Sequence, residues 1–328
     1  METLLFDAGA VEESARIGAV IGAVEDAFGA YERGDAVMPA KSYVDLPRYN
    51  GDFRAMPAYV DGGSWDAAGV KWVNSHPDNP ATHDLPTVMG TMIYSDPETA
   101  FPLGIMDGTV LTRLRTGAAA AVATDHLAIE GATSLGIVGA GGQAPTLLAA
   151  IAAVRPIERV VIADRSDEKQ AAFVEAFEDR FDVRAGTIAE AAGRDVLATA
   201  TPVEEPIVPR EAVGEHTHVN AMGADAAGKQ ELAEAILLDA KLVVDDDEQC
   251  VHSGEINVPW SRGVLTETNL YAELGEIVVG EKAGRTPEDG ITVFDSTGLA
   301  IQDIAAAHVV YEEATGTGAG EAVSLLSV

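Results

Sequence analysis

Cysteine is nearly absent: Cys250 is the only one in 328 residues. A single thiol excludes an intrachain disulfide, a CxxC redox pair and a cysteine-rich zinc site. Lysine is also scarce, with six residues in all, and the 21 basic residues face 53 acidic ones for a formal charge of −32. That sign is wrong for neutralising phosphates, which excludes nucleic-acid binding. It equally excludes docking of basic patches on an anionic membrane. No apolar run approaches the roughly 18 residues needed to span a bilayer. The opening Met1-Glu2-Thr3-Leu4-Leu5 carries neither a basic leader nor a cleavage pattern. A cytoplasmic protein is expected.

What is present suits a globular chain: hydrophobic residues make up 47%, and the length allows two cores. The acid is spread along the chain, as on the surface of a halophilic protein whose self-repulsion is screened by concentrated cations. The alternative is an ordinary acidic enzyme. On a surface that avoids lysine, the survivors Lys41, Lys71 and Lys229 stand out as needed where they are. The acidic run Asp245-Asp246-Asp247-Glu248, with His252 nearby, matches no ordered metal-ligand spacing and reads as a solvated face, so no metal is expected. His76, His83, His216 and His218 read as loop or strand residues.

The pattern is α/β. An amphipathic helix is predicted over 11–31, followed by short β-type runs at 37–46, 53–60, 69–73, 86–95 and 101–106. A helix over 109–127 closes this α+β region, whose sheet is expected to be mostly antiparallel. From residue 133 strands and helices alternate, with strands at 133–138, 159–163, 195–199, 218–222, 241–244 and 291–294. Helices at 143–154 and 167–181 lie between the first of them. Such alternation predicts a Rossmann-type, doubly wound parallel sheet. A last helix, 298–313, is expected to pack back on the first region, and the glycine-rich 315–320 to be mobile.

The strand at 133–138 runs into Gly139-Ala140-Gly141-Gly142-Gln143-Ala144, a dinucleotide-binding turn with alanine in place of the third glycine. Small residues let a pyrophosphate approach the backbone at the start of the following helix, where Pro145 sits in the first turn. Asp164 ends the next strand and suits the ribose hydroxyls, favouring NAD over NADP; Arg165 beside it keeps NADP open, since it could pair with a 2′-phosphate. The bland alternative is a tight βα turn without a ligand.

Three other segments carry chemistry. Lys71, in Lys71-Trp72-Val73-Asn74-Ser75-His76-Pro77, reads as a lysine at a strand end, able to polarise a carbonyl or trade a proton; the competing reading is an edge-strand surface lysine. Arg113 and Arg115 lie two apart on a helix and face different sides, with Arg115 the inner one, suited to clamping a carboxylate. Asp225, in Gly223-Ala224-Asp225 with Gly228-Lys229, follows a parallel strand, where ligands bind; it can serve as acid or base, with Lys229 holding it or the cofactor. In so acidic a chain, plain surface charge is the competing reading for any one aspartate.

Together these segments, with Met56-Pro57, Leu114-Arg115-Thr116 and Asp295-Ser296-Thr297-Gly298, resemble the ornithine cyclodeaminase/mu-crystallin family, which includes archaeal-type alanine dehydrogenases. The resemblance covers about residues 35–305. It implies a substrate-binding and dimerisation domain at 1–116, completed by 300–328, and an NAD(P)-binding domain at 117–299. It assigns Lys71 and Asp225 to catalysis and Arg115 to the substrate carboxylate. One departure is informative: ornithine cyclodeaminases typically carry a glutamate two residues before Met-Pro, to receive the distal amine, where this chain has Arg54. Arg54, with Lys41 adding to an anion-binding corner, favours a small 2-amino or 2-oxo acid. The expectation is a homodimer that reversibly deaminates such an acid, alanine first. Thr116, Gly139, Gly141, Gly142, Gln143, Asp164 and Arg165 would hold NAD, and Thr199, Thr201, Met222, Gly223, Lys229 and Ser296 would lie nearer the nicotinamide. Rivals on the same residues are a ketimine or cyclic-imine reductase, a cyclodeaminase, and a non-catalytic ligand-binding protein of mu-crystallin type.

Overall fold

The computed structural model describes residues 2–326. It divides into two compact units, Met1–Arg115 with Leu299–Val328, and Thr116–Gly298. The division falls inside one helix, Gly108–Leu127. Among the described residues no helix is long and apolar enough to cross a membrane.

The first unit contains β1 (Thr3–Phe6), β2 (Ala36–Val37), β3 (Ser42–Leu46), β4 (Gly51–Asp61), β5 (Asp66–Ser75), β6 (Val88–Ser95), β7 (Pro102–Asp107) and the chain's last strand, β16 (Glu321–Val323). They form one sheet in the order β16-β1-β7-β6-β5-β4-β2, with β3 also paired to β4. Only β1 and β7 run parallel. Side chains alternate across a strand, so Arg54, Met56, Ala58 and Val60 of β4 share one buried face. Register places Met56, Lys71 and Met92 in one row across β4, β5 and β6. The helices Ile17–Arg33 and Ala300–Thr317 pack on this sheet and on each other.

Three expectations change here. The helix over 11–31 is two helices, Ala8–Ser14 and Ile17–Arg33, because the backbone turns extended at Ala15 and Arg16. The strand over 37–46 is broken between β2 and β3 by Met38-Pro39-Ala40-Lys41, where proline cannot donate to a ladder. Residues 315–320 are not a loose tail. The helix runs on to Thr317, Gly318 caps it at φ +75°, and β16 then pairs antiparallel with β1.

The second unit holds β8 (Ser134–Val138), β9 (Arg159–Ala163), β10 (Asp182–Ala185), β11 (Val196–Thr199), β12 (His218–Ala221), β13 (Lys241–Val244), β14 (Leu270–Glu273) and β15 (Thr292–Asp295). All pair in parallel, in the order β10-β9-β8-β11-β12-β15-β13-β14. Every residue of β8 and β11 is buried, as expected of strands covered on both faces. One apolar layer gathers around Ile137, Leu147 and Ile151, the other around Leu197, Val219 and Ile236. The strand order reverses between β8 and β11, the switch point where doubly wound sheets take ligands at their carboxyl ends. The fold class is thus α/β, a Rossmann-type sheet joined to a mostly antiparallel α+β unit. The short edge strands β10 and β14 escaped prediction because each buries a single residue, Val183 or Ala272, and so shows no apolar run.

Candidate active site

In the first unit Lys71 lies in the middle of β5 rather than at its end, paired on both sides. Its side chain is 1% exposed, and Nζ sits 2.7 Å from each carboxylate oxygen of the fully buried Asp303, donating to Oδ1. Arg115 shares that carboxylate, with Nε 3.3 Å from Oδ1, and its Nη1 donates to Gln302 Oε1 at 3.3 Å. Gln302 Oε1 also accepts from the Leu299 amide. Both acceptors therefore come from the first turn of the helix Ala300–Thr317. Burial lowers the Lys71 pKa to about 7; Asp303 opposes that, while the charges of Arg115 and Lys41 add to it. An amine so placed can trade a proton near neutral pH.

Arg54 occupies the same sheet face, two residues along β4 from Met56. Its Nε and Nη2 each donate to Asp52 at 3.0 Å, and its guanidinium lies 5.4 Å from the Tyr43 ring centroid. The edge best suited to a substrate carboxylate is thus engaged by Asp52.

In the second unit Gly139 leaves β8 with φ +103°, and a Cβ there would come 2.7 Å from the Ala200 carbonyl oxygen. Only glycine fits that combination. Gly141 and Gly142 are exposed, and a Cβ on Gly141 would meet nothing within 4 Å. Asp164, just past β9, clamps the turn: Oδ2 accepts from the Ala140 amide at 2.7 Å and Oδ1 from the Ser166 amide at 2.8 Å. Arg165 is exposed beside it. The helix Ala144–Val154 starts directly after Gln143. Gln143 Oε1 and Thr116 Oγ1 are buried without a hydrogen-bond partner among the described residues.

At the carboxyl edge of this sheet four buried carboxylates hold the loops. Glu231 Oε2 accepts from Thr199 Oγ1 at 2.7 Å and the Gly223 amide at 2.9 Å, and Oε1 from the Thr201 amide and hydroxyl, both at 2.7 Å. Glu255 accepts from the Glu231 and Leu232 amides. Asp295 accepts from the Glu255 and Ile256 amides at 2.8 and 3.1 Å. Asp245 accepts from Ser296 Oγ at 2.8 Å and the Gly298 amide at 2.9 Å. Burial raises the pKa of Glu231. It raises Glu255 well above the carboxylate range, with the Glu231 charge adding to it, and lifts Asp295 to about 7.

The expected solvated face at Asp245-Asp246 is therefore wrong: the two are 1% and 7% exposed. Asp245 closes this network, and Asp246 caps the helix Asp247–Ser253 by accepting from the Gln249 amide. Among the described residues no three His, Cys, Asp or Glu side chains gather as a metal site. Half-buried Met222 donates its amide to the Thr199 carbonyl. Lys229 Nζ donates to Asp225 Oδ1 at 2.5 Å, so the lysine holds the aspartate.

The ornithine cyclodeaminase/mu-crystallin family model matches residues 1–318. The chain belongs to that family. An alanine dehydrogenase of Archaeoglobus fulgidus is 46% identical over the full length of both chains. A solved archaeal alanine dehydrogenase dimer with bound NAD, also 46% identical, superposes with a TM-score of 0.94, covering 99% of this chain and 100% of its own. The Thermococcus litoralis Δ1-pyrroline-2-carboxylate reductase, solved with NADH and L-proline, is 35% identical with a TM-score of 0.93, covering 98% of this chain and 100% of its own.

Sequence reasoning missed Asp303, Gln302, Glu231 and Glu255. A signal existed for the first pair: Gln302-Asp303 interrupts the apolar helical run Leu299-Ala300-Ile301 and Ile304-Ala305-Ala306-Ala307. Asp303 has no basic residue four positions away on either side. A carboxylate on an otherwise apolar helix face, with no local cation, needs a partner from elsewhere in the fold.

Proposed function

We propose that this member of the family is an NAD-dependent dehydrogenase of a small L-amino acid, converting L-alanine and water to pyruvate and ammonium. The observation that carries the reading is the pair Lys71 and Arg115, two buried cations sharing the one carboxylate of Asp303 in a chain of charge −32. A cationic excess in so acidic a protein suits an anionic substrate, and a guanidinium is the natural clamp for its carboxylate.

The nucleotide turn fits a dinucleotide. The open space at Gly141, the helix start behind it and the unpartnered oxygens of Gln143 and Thr116 suit a pyrophosphate and its riboses. Gly139, Gly142, Thr199, Thr201, Met222, Gly223 and Ser296 complete the proposed binding set. Asp164 favours NAD, and Arg165 is the residue that would admit NADP. NAD, when bound, would supply the hydride acceptor for the substrate α-carbon. Arg115 orients the carboxylate, with the positive charges of Lys41 and Arg54 reinforcing the anionic corner. Lys71 polarises the developing carbonyl, and Asp225, held by Lys229, takes the proton of the attacking water.

The first unit, in this reading, also carries the dimer contact. Its outer sheet face exposes Val44, Trp72 and Ile93, with Phe53 stacked on Trp72 at 5.1 Å. An apolar face of that kind suits burial against a second copy. The deciding experiment is a high-salt panel of amino acids with NAD+ or NADP+, and of 2-oxo acids plus ammonium and cyclic imines with NADH or NADPH. Absorbance change with alanine and with pyruvate plus ammonium is expected. Reduction of cyclic imines with alanine inert would make the chain a reductase. Ornithine consumption without net absorbance change would make it a cyclodeaminase, and no turnover at all would leave a ligand-binding protein.

A further inference from the structure

The helix Ala300–Thr317 brings a buried charge to the first unit as well as apolar packing. Its first turn places Asp303 in a fully buried position, 2.7 Å from Lys71 Nζ, although 232 residues separate the two. We propose that Asp303 is a positioning residue for the reaction, the counter-ion that keeps the Lys71 ammonium charged and aimed at the substrate. The inference rests on the reading above in which Lys71 polarises the substrate carbonyl.

The surroundings of Lys71 explain why a counter-ion is needed. Met56 and Met92 flank it across the sheet and offer no hydrogen bond to an ammonium. The charged groups that act on it are Arg115 from the helix Gly108–Leu127, Lys41 from the segment between β2 and β3, and Asp303 itself. Arg54 shares the sheet face one strand away, already joined to Asp52. All but Asp303 of those acting on Lys71 are cations and disfavour a further positive charge. Removing the Asp303 charge leaves desolvation and two neighbouring cations unopposed, so Lys71 becomes neutral at the pH where it has to be charged. Asp303 touches neither substrate nor cofactor in this scheme; it acts through Lys71.

The test compares wild type, Asp303→Asn, Asp303→Glu and Lys71→Ala in the reductive direction, following kcat/KM for the 2-oxo acid across pH, with NAD(H) affinity measured separately. For Asp303→Asn, the ratio of variant to wild-type activity should fall as pH rises, reaching a loss of at least about tenfold near pH 8, equivalent to one unit of displacement. The loss should shrink toward acid pH, and NAD(H) affinity should stay within about twofold of wild type. Asp303→Glu keeps the charge but moves it by one methylene, so its pH limb should stay in place while kcat drops. An Asp303→Asn ratio that is flat with pH, whatever its size, would reduce Asp303 to a structural role and overturn the inference. Should Asp303→Asn not fold, Asp303→Glu decides: a displaced limb, or a kcat equal to wild type, overturns it. The underlying reading fails separately, and visibly, if Lys71→Ala retains turnover.

Discussion

The two units bury charge in opposite ways. In the first, two cations, Lys71 and Arg115, lean on one carboxylate, and all three side chains come from different elements. In the second, Glu231, Glu255, Asp295 and Asp245 are buried at one sheet edge and are satisfied by backbone amides and hydroxyls. A carboxylate held by amide donors fixes the loops that supply them, because each donor it releases is left buried and unpaired. A cation held by a single remote carboxylate fixes little backbone but gains a tuned charge. The contrast suggests that the second unit uses its buried acids as braces, whereas the first uses its buried lysine for chemistry.

The strongest test of that division is Lys71→Ala. If the lysine serves chemistry and not architecture, turnover should fall by roughly 10²–10⁴-fold, the usual contribution of a positioned acid or base. NAD affinity should hardly move, which nucleotide titration can follow, whereas the denaturation midpoint should shift, because alanine leaves a cavity and Asp303 is left with Arg115 alone. A large drop in stability without loss of turnover would erase the contrast.

Glu231→Ala should do the reverse. Four donors, the Thr199 hydroxyl, the Thr201 amide and hydroxyl and the Gly223 amide, lose their acceptor together. At about 1–3 kcal/mol for each unsatisfied group, and with partial relaxation, a loss of about 3–5 kcal/mol in unfolding free energy is expected. NAD affinity should fall with it, since the same loops flank the nucleotide turn. A variant that binds NAD normally and unfolds at the wild-type denaturant concentration would show that Glu231 braces nothing.

How much of this could be read from the chain depended on whether the information was local. The glycine turn, Asp164 and the alternation of β8 to β13 are local patterns, and the parallel sheet followed from them. Lys71 stood out because lysine is scarce, and Arg115 by its place on the helix beside Thr116-Gly117 and by the family resemblance. Asp303 and Glu231 did not, because in a chain with 53 acids a single carboxylate carries no signal until the fold buries it. Asp245 misled for the same reason: its neighbours Asp247 and Glu248 do face outward, and only the strand β13 entering the core carries Asp245 inward. Lys71 was placed at a strand end because Asn74 to Pro80 reads as a turn, yet β5 runs on to Ser75, paired with β6 on one side and β4 on the other.

The pH dependence of stability is the most discriminating test, because its sign differs between the units. Lys71 has its pKa lowered to about 7 in the folded protein, against an unfolded value of about 10.4. Between those values the unfolded chain binds a proton the folded one lacks, so stability rises with pH. Asp295 is shifted the other way, up to about 7, from about 3.9 unfolded. Here the folded chain binds the extra proton, so stability falls as pH rises across that window. Each slope can reach about 1.4 kcal/mol per pH unit. Urea unfolding at fixed high salt, for wild type, Lys71→Met and Asp295→Asn, isolates each group as a difference from wild type. The Lys71 difference should climb from about pH 7 to 10, and the Asp295 difference should decline from about pH 4 to 7. Two differences of the same sign would mean that the buried lysine and the buried aspartate are not handled in opposite ways.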